Sequence, residues 1–114
     1  MQPRIVVVTQ EDPRTTHRPV EALRMVLGLS TGGNPLSVIL LGPSRILMTD
    51  ALDEIVDADT FERYLPSLSQ LRIPFIVPTG SLEEYRSAAI LPITERPLAD
   101  IASLILDSDY SLVF

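Results

Sequence analysis

Apolar positions along the chain alternate between short continuous runs and stripes at helical spacing. Arg4–Thr9 (RIVVVT) is a β-branched run of the kind that is buried on both faces of a sheet. The polar stretch Gln10–Arg18 breaks it. Pro19 suits a first helical position, and Val20, Leu23, Val26 and Leu27 then recur on one helical face. Gly32-Gly33-Asn34-Pro35 closes that helix, and Leu36–Leu41 reads as a second buried strand. Ser44–Leu52 carries Ile46, Leu47, Ala51 and Leu52 and predicts a helix delayed by Gly42-Pro43. Asp53–Asp59 reads as an exposed acidic connection.

The second half repeats the alternation. Asp59 and Glu62 form a capping box that opens a helix through Arg72, with Phe61, Leu65, Leu68 and Leu71 as its stripe. Pro66 lies inside this helix and should kink or split it. Ile73–Val77 predicts a third strand. Ser81 and Glu84 make another capping box, with a short helix to about Ala88, and Ile90–Ile93 predicts a fourth strand. Pro97 opens a helix with Leu98, Ile101, Ala102 and Ile105, and Tyr110–Phe114 is the fifth strand. Strands joined by helical stretches imply right-handed βαβ crossovers. The expected fold is one domain over residues 1–114, a flavodoxin-like three-layer α/β sandwich with a mostly parallel sheet of about five strands.

Composition bounds the chemistry. The 114 residues include no Cys, no Lys and a single His. Disulfides, thiolate nucleophiles, Cys-ligated metals, Schiff bases and a phosphate-binding P-loop lysine are therefore excluded. One His cannot build a multi-histidine metal centre, and no cofactor is expected. A net charge of −6 argues against nucleic acid as a partner. No apolar run approaches a membrane span, and no secretory leader opens the chain, so a cytoplasmic location is the expectation.

In a parallel sheet the functional crevice lies outside the carboxyl ends of the strands. Two loops should emerge there. Thr9, Asp12, Arg14 and His17 stand on the first, where two arginines (Arg14 and Arg18) and a helix start form a candidate anion or small-ligand site. Without glycines that loop carries no nucleotide fingerprint, and a solvated loop satisfying its own backbone is the plainer reading. Thr79, Gly80 and Ser81 form the second. Small residues there permit close approach, although simple capping by Ser81 is commoner and Glu83 and Glu84 would repel an anion. Should Ser81, His17 and Asp12 meet, they would supply nucleophile, base and orienter for a hydrolase, but no nucleophile elbow surrounds Ser81. Asp53, Glu54, Asp57 and Asp59 lack the spacing of a calcium loop.

Taken together, several stretches resemble the DsrE/DsrF-like family of sulfur-relay proteins, which includes TusC and TusD. RIVVVTQEDPRTTHRPVEALRMVLGL is similar to its opening strand, polar loop and helix. LSVILLGPSRILM resembles its second strand with the segment that follows. FERYLPSLSQLRIPFIV, SLEEYRS and LADIASLILDSDYSLVF resemble the later elements, so the likeness spans nearly the whole chain. In sulfur-carrying members a Cys follows the strand matching Ile73–Val77. The matching positions here are Pro78 to Ser81, with Ser81 the best match, and a hydroxyl cannot form a persulfide. The resemblance thus implies a Cys-less, non-catalytic subunit. It would act as a homo-oligomer (trimer or hexamer) or in a hetero-oligomer with Cys-bearing DsrE/TusD-like paralogues. Apolar helices such as Ser44–Leu52 exceed what a small sandwich buries and would serve that assembly.

Overall fold

The computed structural model describes residues 2–86 and 91–114. Five strands form one sheet: β1 (Ile5–Thr9), β2 (Leu36–Leu40), β3 (Phe75–Pro78), β4 (Ile93–Arg96) and β5 (Tyr110–Val113). Their spatial order is β4-β3-β2-β1-β5 and every pairing is parallel. Helices α1 (Arg18–Ser30), α2 (Ala58–Gln70), α3 (Ser81–Glu84) and α4 (Leu98–Asp107) connect them. This is the α/β sandwich expected from the sequence.

Strand order decides which face each helix covers. From β1 to β4 the chain steps in one direction, so right-handed crossovers place α1 and α2 on one face. The step from β4 to β5 runs back past β1 and places α4 on the other. On the first face Val7, Val38, Leu40, Phe75 and Val77 pack against Leu23 and Val26 of α1 and Phe61 and Leu68 of α2. On the second, Val6, Val8, Ile39 and Ile76 meet Ile101, with Leu104 and Ile105 partly buried beside it. A five-stranded sheet is thus covered by two long helices on one side and a single ten-residue helix on the other.

Several local expectations are corrected. Ser44–Leu52 is not an α-helix: residues Gly42–Met48 and Leu52–Glu54 are 3-10 segments. Gly42 adopts φ 52° and Pro43 follows it, while Thr49 is extended and turns its hydroxyl onto the Ile46 carbonyl at 2.7 Å. Nor is this segment spare apolar surface, because Ser44, Ile46, Leu47 and Met48 are all buried. Both capping boxes give way to left-handed residues: Asp57 precedes α2 at φ 61° without a capping hydrogen bond from its side chain, and Gly80 precedes α3 at φ 94°. Pro66 is accommodated within α2, which stays one element. The residue lies on the solvent side, where the carbonyl it leaves unpaired can be hydrated. β3 begins at Phe75 rather than Ile73, and β4 at Ile93. α3 ends at Glu84 rather than near Ala88, because Tyr85 is already extended, and β4 runs on to Arg96; the expected strand start at Ile90 lies outside the described residues.

Phe61 of α2 is fully buried in the core cluster that also holds Leu23 and Val26 of α1. Phe61→Ala is expected to lower unfolding free energy by about 3–5 kcal/mol, whereas Leu71→Ala at the exposed end of α2 changes it by about 0.5 kcal/mol or less. Urea denaturation of the two variants checks the contrast.

Candidate functional site

The carboxyl edge of the sheet carries the segments following β1, β2 and β3. Because β2 lies between β1 and β3, the two predicted loops leave strands about 10 Å apart. The turn Gly42-Pro43-Ser44-Arg45 fills the gap and reaches both. Thr9 and Ser44, both fully buried, share a hydroxyl–hydroxyl hydrogen bond of 3.1 Å, and Ser44 Oγ donates to the Glu11 carbonyl at 2.6 Å. On its other side Arg45 donates from one guanidinium nitrogen to Ser81 Oγ at 3.1 Å and to Glu84 Oε2 at 2.9 Å. Its guanidinium carbon also lies 4.6 Å from the centroid of the Tyr85 ring. Ser44 and Arg45 were not singled out from sequence. Their signal was position: a Gly-Pro turn directly after a buried strand must emerge at the same edge as its parallel neighbours.

The first loop is held by its own residues. Asp12 accepts the Arg14 backbone N–H at 2.9 Å and the same guanidinium at 3.1 and 2.9 Å. The Arg14 guanidinium and N–H hold the Asp12 carboxyl below its usual range, and Asp12 in turn raises Arg14. Thr15 and Thr16 both donate backbone N–H groups to the Asp12 carbonyl, and the Pro13 carbonyl accepts Val56 N–H at 2.7 Å. His17 sits exposed at the start of α1 and makes no capping hydrogen bond.

At the second loop, a carboxylate of the chain occupies the available N–H groups. Glu95 on β4 accepts from Gly80 N–H at 2.8 Å and Leu82 N–H at 3.1 Å. The Thr79 N–H is bonded to the Arg96 carbonyl. Of the features expected to attract an anion, Arg14 and the backbone N–H groups of Gly80 and Leu82 are therefore already matched with internal carboxylates, while Arg18 at the start of α1 is exposed. The open groove beside them, about 300 Å³, sets Arg14 and Arg86 against Asp50, Glu54 and Glu84, with Tyr85 in its wall. With three carboxylates against two guanidinium groups the groove is net acidic, which disfavours a phosphate or another small anion. Among the described residues no cluster of His, Asp or Glu could hold a metal ion.

The hydrolase arrangement is not assembled. Ser81 is fully buried with its oxygen facing Arg45, Asp12 is bonded to Arg14, and no Ser81–His17 or His17–Asp12 hydrogen bond exists among the described residues. A cation next to a hydroxyl does not remove its proton, so no general base for Ser81 is found among the described residues.

Two outcomes are expected. An acyl or phosphonate serine probe leaves the protein unlabelled, while Ser81→Ala costs about 0.5–1.5 kcal/mol in denaturant unfolding by removing one acceptor from Arg45. The lowered Asp12 pKa means that its contact with Arg14 contributes fully above the ordinary carboxylate range and is lost as pH falls through the lowered value. In a carboxyl-detected NMR titration, Arg14→Gln should move the Asp12 midpoint upward.

No family model and no curated protein sequence matches the chain. Among solved structures, the crystal structure of the ychN protein from E. coli is similar to it, with a TM-score of 0.80 at 18% sequence identity. That likeness covers 100% of both chains. At this identity it establishes a shared fold along the whole length. No helix among the described residues is long and apolar enough to cross a membrane. The chain has the α/β fold of the ychN protein.

Proposed function

We propose that this chain is a Cys-less member of the DsrE/DsrF-like family and acts as a non-catalytic companion subunit in a sulfur-relay assembly. The observation that carries the reading is Ser81. It stands at the position where the resemblance places the carrier Cys, yet its hydroxyl is buried and engaged by Arg45. A hydroxyl forms no persulfide, and this one is closed off from an incoming sulfur donor. The full-length likeness of fold supports placing Ser81 in that register, because the strand, the loop and the helix start around it are all present.

The surrounding contacts support the same role. Arg45, Glu84 and Glu95 tie the segment after β3 to β2 and β4, giving a stiff edge with no reactive group. A companion subunit requires a stable surface for presentation or assembly, and a carrier requires an accessible thiol. Only the first requirement is met here.

Native mass spectrometry of the purified protein, and of the protein co-expressed with a Cys-bearing DsrE/TusD-like paralogue, tests the reading. Multiples of 12.6 kDa or a mixed complex are expected. A strict monomer that forms no complex with the paralogue would overturn it.

A further inference from the structure

We draw no further inference here: the strongest candidate, the exposed apolar stripe that Leu98, Ala99, Ala102 and Leu106 form on α4 at the second face of the sheet, carries nothing because nothing in the structure shows what covers it.

Discussion

The structure depends on β1 being enclosed from four directions. Its backbone is paired with β2 on one side and β5 on the other, and its side chains enter separate apolar clusters above and below the sheet. A strand so placed must be apolar at every position, as Ile5–Val8 is, and it must be central. This chain satisfies it by laying β2, β3 and β4 to one side and then returning to place β5 on the other. Right-handed connection does the rest, sending α1 and α2 to one face and α4 alone to the opposite face. The uneven cover of the sheet, and the exposed stripe on α4, descend from that single return.

The carboxyl edge follows from the same order. With β2 seated between β1 and β3, the turn after β2 becomes the keystone of the edge, its serine holding the end of β1 and its arginine holding the start of α3. Polar groups that would be free to meet a ligand are used instead to join neighbouring loops. Buried hydroxyls at Thr9, Ser44 and Ser81 all find partners, and no buried side-chain polar atom among the described residues lacks one. Such satisfaction rigidifies the edge. Surface of a different kind, apolar and unpaired, is found across the sheet on α4.

Legibility differed by the length scale of the interaction. The runs IVVVT and LSVIL announced their strands because burial on both faces requires unbroken apolar residues. The stripes of α1, α2 and α4 announced their helices. Ser44–Leu52 misled because its apolar residues are needed by the core but its backbone is bent by Gly42 and Thr49, so compact 3-10 turns deliver them. The capping boxes at Asp59 and Ser81 misled for a related reason. A helix start can be set by a left-handed residue one or more positions earlier, and at α3 the N–H groups go to Glu95, a residue brought in from the next strand. The loop residues Asp12, Arg14 and Ser81 were visible as polar groups at the right edge, while their partners were not, apart from the short-range pairing of Asp12 with Arg14.

The sequence by itself determined the layered α/β class, the approximate place of four of the five described strands and of the three long helices, and the absence of Cys and Lys chemistry. These depend on residue type and on periodicity within a few turns or strand positions. Tertiary structure decided which apolar surface is spare and which polar groups are engaged. Ser44–Leu52 and α4 both read as apolar stretches, yet the fold buries Ile46, Leu47 and Met48 of the first and leaves Leu98 and Leu106 of the second in solvent. Arg45 meets Ser81, and Glu95 meets Gly80, across gaps of 36 and 15 residues. Such pairings exist only once parallel strands have brought distant turns to one edge, and no local pattern encodes them.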